Sequence, residues 1–509
     1  MVINQELPAL VVVLVASGMR YDYLSRFRHR FGPSGLNRLL EGGAVFSNTR
    51  YTFARAHHFQ SSATIATGTT PSRHGVSAVS WIEPDTGRRR HVLADEDYPL
   101  VGGVSDGVPL VGHAGASPLS LLGSTLGDEL KLAMGNAPKV HAVQGIGLLG
   151  GVGDAVLFGG RTADGAFGLD RSNGNFVSSR YYYDALPRWA DEFNRRREVD
   201  RWYGGQWRVA DDVAVDLAPA PDGPDPEYYG RLARTPYADE ITMDFALDLV
   251  RHEGLGADAT PDLLYIYLFA ADRSGHTWGP YSAEIEEIIV GTDRQVARLL
   301  DFLDEVVGRD RYWVVLTSDH GMSPSFEQAE RAGLHPKRSD WRDIPVVMDR
   351  ALTERWGEGD WLLEWGDFNY ATLRQKGVSL AEVVEVAGDA ALTLGVFIGY
   401  HGPHFSRTDP VTARAYELAY FPGRSGDLYM ITAPFVAGPG QGAGHGTIYS
   451  YDTHVPLIFY GAPFHARVFR GEAAPTDIAP TLSSLLGISP PAQADGRVLY
   501  EAVRERGRP

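Results

Sequence analysis

Residues 10–15 form an uninterrupted run of valine and leucine that ends in the turn-like Ala16-Ser17-Gly18. Such a run is typical of a parallel strand buried on both faces of a sheet, because an exposed face would carry polar side chains at alternate positions. Further apolar runs predict more strands at residues 140–143, 263–269, 313–317, 428–432 and 456–460.

Helical patterns separate these strands. Behind Ser282, a helix-capping residue type, apolar residues fall close to one helical face: Ile285, Ile288, Ile289, Val296, Leu299, Leu300 and Leu303. Strands that alternate with helices predict an α/β fold, with a mostly parallel central sheet and helices on both faces.

Two long segments interrupt this alternation, at residues 161–240 and 324–440. The first is rich in Tyr, Trp, Arg, Asn and Gly, and the second holds mixed polar segments and turn-like clusters. Long insertions beyond the carboxyl ends of a parallel sheet usually cover the ligand site. We therefore expect a core built from residues 1–160, 241–323 and 441–509, with the two insertions forming a cap.

Composition excludes some classes of function. The chain has 509 residues, of which 44% are hydrophobic and 22% charged, so it can bury a large core. A net charge of −17 argues against binding a nucleic-acid polymer, whose phosphates attract clustered Lys and Arg. A small anionic ester remains a possible substrate or ligand if a metal ion supplies positive charge locally.

The cellular compartment and the oligomeric state stay open. The chain has no cysteine, which excludes thiolate metal sites and disulfides but says nothing about compartment. The apolar stretch at residues 7–16 is too short to span a membrane and lacks the features of a signal peptide. The protein is therefore expected to be cytoplasmic, or periplasmic or secreted if a signal peptide has been removed.

Acid and histidine residues follow two of the predicted strands. Asp272 and His276 come after the run at 263–269, Asp319 and His320 come after the run at 313–317, and His445 precedes the last run. Alone, each is more simply explained as a capping aspartate or a surface histidine. Together they favour a divalent metal such as zinc, which prefers imidazole and carboxylate ligands.

At the level of motifs, the chain resembles the alkaline phosphatase superfamily. The resemblance points to its threonine-nucleophile phosphate monoesterases, with nucleotide pyrophosphatases and phosphodiesterases as cousins. It rests on the order of Arg20-Tyr21-Asp22-Tyr23-Leu24, Ala66-Thr67-Gly68, Pro71-Ser72-Arg73-His74-Gly75, Asp272-x-x-x-His276, Ser318-Asp319-His320-Gly321-Met322, His445-Gly446 and Asp477-Ile478-Ala479-Pro480-Thr481-Leu482.

The resemblance implies a site for two zinc ions, although one ion or another divalent metal is also possible. One ion would be bound by Asp272, His276 and His445. The other would be bound by Asp319, His320 and an aspartate whose position is occupied by Ser17, a poor ligand. One of the implied protein ligands is therefore missing.

The residues implied for catalysis also differ. His58 occupies the position of the nucleophilic threonine, and no Ser or Thr lies between Ala54 and Gln60. The active-site asparagine maps to Val79, and the Lys and Arg that hold phosphoryl oxygens map to Gly151 and Gly153. Because such groups act as a unit, monoester hydrolysis by the family's mechanism is not expected.

Three hypotheses follow. The protein is a metal-dependent hydrolase of phosphoric or related esters with a nonstandard attacking group, or a catalytically silent relative that binds a metal or an anionic ligand, or a scaffold with remnant metal ligands. The first is preferred. In it, His57 or His58 replaces the missing ligand or attacks phosphorus, or a metal-activated water attacks. The side chain that points into the metal crevice discriminates among these hypotheses.

Other polar residues have simpler explanations. Arg20 is expected to pair with Asp22, and His74 to be a loop or helix-end residue. His454 could replace His445 as a ligand if the alignment is shifted. Residues of the insertions could contact a ligand or be solvated: Arg161, His401, His404 and Arg424.

Overall fold

The computed structural model describes residues 6–83, 86–103, 115–147, 151–218, 221–438 and 442–504. Its centre is an eleven-stranded sheet. In spatial order its strands are Arg467–Ala473, Ala44–Thr49, Leu457–Tyr460, Tyr312–Thr317, Leu10–Ala16, Asp262–Leu268, Val140–Gln144, Gly165–Leu169, Phe176–Ser179, Ala94–Val101 and Gly115–Ala116.

The five neighbouring strands from Tyr312–Thr317 to Gly165–Leu169 run parallel to one another. Antiparallel pairs lie toward both edges; for example, Leu457–Tyr460 is antiparallel to Tyr312–Thr317. The predicted α/β class with a mostly parallel sheet is therefore confirmed, and its parallel part is the interior of the sheet.

Both faces of the sheet are buried, as the run at residues 10–15 predicts. Leu10, Val12 and Leu14 pack into one hydrophobic core, whereas Val11 and Val13 pack into a second core. Side chains alternate across a strand, so two separate cores mean that helices cover both faces. The α-helices of the described residues are Tyr23–Arg26, Leu36–Gly42, His58–Thr67, Pro71–His74, Leu126–Met134, Gly153–Gly159, Arg188–Arg196, Pro226–Leu232, Pro236–Glu253, Ala270–Trp278, Ala283–Leu303, Phe326–Arg331, Asp343–Trp356, Tyr370–Lys376, Leu380–Leu392, Pro410–Ala419, Ser450–Thr453 and Ile478–Leu486.

The predicted helix behind Ser282 is Ala283–Leu303, and the Ser282 hydroxyl accepts a hydrogen bond from the Ile285 N–H at 3.2 Å. That bond satisfies one of the N–H groups that a helix start leaves without a partner. Within the part of the chain that the structure describes, no helix is both long enough and apolar enough to cross a membrane.

The segment predicted as the first insertion contributes to the central sheet. Gly165–Leu169 and Phe176–Ser179 are strands of that sheet, so residues up to about 180 belong with the core. The rest of the segment includes the hairpin of Gln206–Val209 and Asp212–Asp216. Phe193 and Trp207 share a core with Leu14, which places this segment against one face of the sheet.

The second insertion has a hydrophobic core of its own, formed by side chains between Ile344 and Met430. The run at 428–432, predicted as part of the α/β alternation, is the strand Tyr429–Thr432 of a small sheet with Phe397–His401 and Ser406–Arg407. The remaining strand pairs are Ser80–Ile82 with Arg89–His91, Lys337–Arg338 with Val436–Ala437, and Leu362–Glu364 with Asp367–Phe368.

Candidate metal centre

The carboxyl ends of three neighbouring strands meet at one edge of the sheet. Leu10–Ala16 pairs in parallel with Asp262–Leu268 on one side and Tyr312–Thr317 on the other. Asp272 lies in the helix after the second of these strands, and Asp319 lies directly after the third. Parallel strands end at the same edge, which is why residues distant in sequence converge here.

The turn after the first strand makes room for the helix that carries Asp272. Gly18 has a φ of 72°, and a Cβ at that position would lie 2.9 Å from the Asp272 Cα. Only glycine accepts both the left-handed backbone and this close approach without strain.

The Asp272 carboxylate is fully buried, and neither of its oxygens accepts a hydrogen bond. Four imidazole Nε2 atoms surround its oxygens: His276 at 3.3 Å, His445 at 3.6 Å, His58 at 3.7 Å and His320 at 3.9 Å. Burial raises the pKa of Asp272, but the histidines outweigh burial and hold it below its ordinary range. A buried carboxylate that accepts no hydrogen bond is unfavourable unless another positive group binds it. A carboxylate surrounded by imidazole nitrogens also matches the ligands that a divalent cation such as zinc prefers.

His58, rather than His57, points into this group. One ligand atom each from His58, Asp272, His320 and His445 lie within 4.8 Å of one another. His57 lies beside the group, with its ring centroid 4.9 Å from that of His445. The nucleophile position of the resemblance is thus occupied by a side chain with the geometry of a metal ligand.

Hydrogen bonds to the other ring nitrogen fix the orientation of three of the histidines. Nδ1 of His276 lies 2.8 Å from the Ala443 carbonyl, and Nδ1 of His320 lies 2.7 Å from the Gly321 carbonyl. Nδ1 of His58 lies 2.9 Å from Asp319 Oδ2. Each contact accounts for a proton on Nδ1 and leaves Nε2 as the atom available to a metal ion, the usual orientation of a metal-binding histidine. Nε2 of His320 lies 3.1 Å from Asp319 Oδ2, nearer than to Asp272.

Asp319 is the centre of a hydrogen-bond network. Its Oδ1 accepts the backbone N–H groups of Gly18 at 3.0 Å and His320 at 2.9 Å. Its Oδ2 accepts hydrogen bonds from Ser17 Oγ at 2.9 Å and Tyr267 OH at 2.5 Å, besides its contact with His58. Asp319 is therefore saturated with donors, in contrast to Asp272.

The second implied metal position is altered accordingly. The resemblance implied Asp319, His320 and the residue at Ser17 as ligands of a second ion. The Ser17 hydroxyl instead donates a hydrogen bond to Asp319. Burial lowers the pKa of His320, but Asp319 and Asp272 outweigh burial and raise it to about 9. The residues present fit one ion around Asp272, and they fit a second ion at Asp319 poorly.

A cavity of about 450 Å³ opens beside the metal-ligand candidates. Among the described residues, its walls come from the core and not from either insertion: Arg55, His57, His58, Phe59, Gln60, Ala78, Val79, Ser80, Gln144, Gly147, Gly153, Asp154, Phe269, His276 and His445. Val79 and Gly153 lie where the resemblance placed phosphate-binding residues. The expected cap over this site therefore stays a prediction.

Two residues that line the cavity, Asp154 and Arg55, were not predicted from the sequence as site residues. Asp154 is buried, accepts a hydrogen bond from Ser62 Oγ at 2.8 Å, and has its pKa raised to about 7, chiefly by burial. Arg55 has a φ of 63°, and its guanidinium lies 4.4 Å from the ring centre of Tyr429. Asp154 follows a glycine-rich segment, a signal that could have identified it, whereas no local pattern identifies Arg55.

Several other polar residues have structural roles. Arg20 pairs with Asp22 at 2.7 Å, as expected. His74, also as expected, is not at the metal centre: it contacts Thr64 Oγ1 at 3.0 Å. His454 hydrogen-bonds to the Ser47 carbonyl and does not replace His445.

The singled-out residues of the insertions lie elsewhere. Arg161 donates to the Leu121 carbonyl, and Arg424 donates to the Gly75 and Ser120 carbonyls. His401 contacts Ser406 Oγ at 2.6 Å, and His404 is exposed. None of these four residues is among those that line the cavity.

Comparisons with known proteins agree with this architecture. The chain is 26% identical to alkaline phosphatase PhoV of Synechococcus elongatus, with 98% of this chain and 93% of that protein covered. It is 28% identical to alkaline phosphatase PafA of Elizabethkingia meningoseptica, with 97% and 94% covered. The crystal structure of PafA superposes with a TM-score of 0.88 at 26% identity, over 98% of this chain and 100% of that one.

More distant structures share the fold alone. Murine ectonucleotide pyrophosphatase / phosphodiesterase 5 superposes with a TM-score of 0.56 at 12% identity, over 97% of this chain and 100% of that one. The family model for type I phosphodiesterase / nucleotide pyrophosphatase matches residues 11–338. The chain therefore belongs to the type I phosphodiesterase / nucleotide pyrophosphatase family of the alkaline phosphatase superfamily.

Proposed function

We propose that this protein is a metal-dependent hydrolase of small phosphoric esters that uses one divalent ion, preferably zinc, and water as the attacking group. The observation that carries the proposal is Asp272, a buried carboxylate without a hydrogen-bond donor and with four imidazole Nε2 atoms within 4 Å. Two relatives that cover nearly the whole chain, PhoV and PafA, are alkaline phosphatases, which supports phosphoric esters as the substrate class.

In this proposal Asp272 and His445 are ligands, with His58 and His320 completing the set of mutually close atoms. His276 is a further ligand candidate, since its Nε2 lies nearest to Asp272. A bound divalent ion would supply positive charge for the phosphoryl oxygens and would lower the pKa of water toward neutrality. His58 would replace the ligand lost at Ser17.

Water is proposed as the attacking group because the metal-ligand candidates include no Ser or Thr. Ser80 carries the one hydroxyl among the described residues that line the cavity, and its Oγ accepts a hydrogen bond from Arg89 at 2.6 Å. The nearby Ser61 hydroxyl donates to the Asp319 carbonyl, and the Ser62 hydroxyl donates to Asp154. Nδ1 of His58 contacts Asp319, and its Nε2 faces Asp272, which favours a ligand role over covalent attack.

Two cavity residues complete the proposed chemistry. Asp154, whose pKa of about 7 suits a general base near neutral pH, would accept the proton of water as the new P–O bond forms. The ester P–O bond breaks, and the leaving alkoxide takes a proton from solvent. Arg55 is the one Lys or Arg among the described residues that line the cavity, so it would hold the anionic phosphoryl group.

The alternative is a catalytically silent relative that binds a metal or an anion. It is favoured by the cavity wall at Val79 and Gly153, which offers no side-chain donor to a phosphate. The carboxyl of Asp154 in the same cavity would also repel a phosphate dianion once it ionises.

The test is metal content by elemental analysis on chelator-free protein, paired with zinc-dependent turnover of aryl phosphate mono- and diesters. We expect about one tightly bound ion and turnover in the wild type, with both strongly reduced in His58→Ala. His57→Ala should retain the ion, and exposed His404→Ala serves as the control. No turnover above the metal-stripped sample would contradict the hydrolase proposal and, if metal is still bound, support the alternative. A phosphohistidine trapped on quenching would instead show covalent attack.

A further inference from the structure

We propose that a second cavity, formed by Arg171 and Arg234 with Arg273 behind them, binds a small multivalent oxyanion such as inorganic phosphate. We call it the arginine cleft. The cavity has a volume of about 560 Å³ and is separate from the one beside the metal centre. The inference does not depend on the proposed hydrolase activity.

The fold brings the three arginines together from distant parts of the chain. Arg171 lies in the turn between the strands Gly165–Leu169 and Phe176–Ser179, and Arg234 lies just beyond the helix Pro226–Leu232. Arg273 lies in the helix Ala270–Trp278, next to Asp272. Each residue is only partly exposed. Sequence spacing could not have predicted this cluster.

The three guanidinium groups lack anionic partners. Over the ranges that the structure describes, none of the three forms a salt bridge or a side-chain hydrogen bond, whereas Arg231 at the same cavity pairs with Glu227 at 2.6 Å. Nε of Arg171 and Nε of Arg273 are both buried without an acceptor. A guanidinium that is partly buried and has no partner is unfavourable, so this arrangement favours a bound counterion.

The charges also act on one another. Arg273 lies close enough to Arg171 and Arg234 for their positive charges to repel one another. In a chain of net charge −17, positive groups left facing one another without carboxylates are unexpected. The acidic residues of the cavity do not neutralise them: Glu227 pairs with Arg231, and Asp216 is exposed at the rim.

The chemistry of the cleft favours an oxyanion of the phosphate type. A guanidinium presents planar N–H donors in a fork that matches two oxygens of such an anion, and each such contact is charge-assisted. The cavity volume suits a small molecule, and the net negative charge of the chain opposes a nucleic-acid polymer. The Trp278 side chain also lines the cavity and offers an apolar wall to an organic substituent on the anion.

The test is isothermal titration of inorganic phosphate into the metal-loaded full chain at fixed ionic strength, with chloride as the reference anion. Arg171→Gln and Arg234→Gln should each weaken binding at the cleft about tenfold or more, the usual size of a charge-assisted contact. The matched control is Arg195→Gln. Arg195 is exposed, lies between Arg171 and Arg234 in sequence and pairs with Asp191, so this variant should bind phosphate like the wild type.

His445→Ala separates this cleft from the metal centre, where phosphate could also bind. Binding that survives in His445→Ala and is lost on adding Arg171→Gln supports the cleft. If His445→Ala loses all phosphate binding, or if Arg171→Gln and Arg234→Gln both stay within twofold of wild type, the proposal is wrong. If the wild-type protein shows no ester turnover but His445→Ala still binds phosphate, only the hydrolase proposal is contradicted.

A second measurement guards against misfolded variants. Phosphate should raise the melting temperature of the wild-type protein above that in chloride of equal ionic strength, because ligand binding stabilises the folded state. Because phosphate could also bind at the metal centre, the effect is compared in the His445→Ala protein. Adding Arg171→Gln/Arg234→Gln to that protein should abolish the increase and, without phosphate, should not lower the melting temperature, since removing like charges relieves repulsion. An equal increase with this addition would overturn the proposal.

Discussion

The Ser17 hydroxyl donates a hydrogen bond of 2.9 Å to Asp319 Oδ2, at the position where the superfamily resemblance implies a metal-binding aspartate. Together with Tyr267 and His58, Ser17 gives Asp319 the donors that a second cation would otherwise replace. This network lies where the resemblance implies a second metal ion, which supports the proposal of a single ion at Asp272.

Ser17→Asp tests this relationship. The substitution places a second buried carboxylate against Asp319, so in the presence of EDTA we expect the free energy of unfolding to fall by on the order of 3 kcal/mol, the cost of an uncompensated buried charge. Excess zinc should restore most of the loss by bridging the two carboxylates. Ser17→Ala, which removes one donor only, should cost about 1 kcal/mol with or without zinc. Urea denaturation with EDTA and with excess zinc measures these losses. An equal loss of stability for Ser17→Asp under the two conditions would contradict the interpretation.

Arg55→Gln tests the proposed contact with the anionic group of the substrate. We expect KM for an aryl phosphate to rise about tenfold or more, because a charge-assisted hydrogen bond is lost, while metal content stays unchanged. Arg355→Gln is the matched control, since the Arg355 guanidinium also lies over an aromatic ring, that of Trp356, but on the surface of the second insertion. An unchanged KM in Arg55→Gln would exclude Arg55 from substrate binding.

Asp154→Asn tests the proposed general base. The pKa of Asp154 is raised to about 7, so its carboxylate form accumulates as pH rises through 7, and kcat should rise over the same interval. Replacing a general base typically lowers the rate about 10²- to 10⁴-fold, so kcat of Asp154→Asn should be lower by this factor. The increase of kcat with pH should also be smaller in this variant. Ser62→Ala removes a hydrogen bond that lowers the pKa of Asp154, so in this variant the increase of kcat should occur at higher pH. A wild-type pH profile retained by Asp154→Asn would rule out the role.

Asp239 makes stability depend on pH. Its Oδ1 accepts the Phe269 and Ala270 N–H groups at the start of the helix that carries Asp272 and His276, and burial raises its pKa to about 7. Between the unfolded value of about 3.9 and the folded value, the native state binds the extra proton, so stability falls as pH rises, by up to about 4 kcal/mol above pH 7.

Asp239→Asn keeps an acceptor for both N–H groups and removes the titration. The variant should therefore resemble the wild type near pH 5 and be more stable than it at pH 8, as measured by urea denaturation. Asp248 lies on the same helix but forms an ion pair with Arg196, so Asp248→Asn should not gain stability relative to the wild type between pH 5 and pH 8. A constant difference between Asp239→Asn and wild type from pH 5 to pH 8 would be inconsistent with the buried, protonated carboxyl.

The parallel strands and their helices could be predicted because their signals are local. The run at 10–15 and the helix behind Ser282 are set by side-chain periodicity and by a capping residue within a few positions of one another. The run at 428–432 predicts a strand of the central sheet, but Tyr429–Thr432 pairs with Phe397–His401 instead, because an apolar run does not specify its pairing partner. Strand pairing depends on contacts with distant residues.

Residue identities and spacing were enough to predict the superfamily resemblance, the ligand candidates Asp272, His276, His320 and His445, and the placement of His58 at the nucleophile position of that resemblance. Only the folded chain shows that His58 faces Asp272, that Asp319 accepts hydrogen bonds from several donors, and that Arg171 and Arg234 line one cavity with Arg273 close by. The physical reason is that residue identity fixes which chemical groups exist, whereas hydrogen bonding, burial and charge proximity arise only when distant segments pack together.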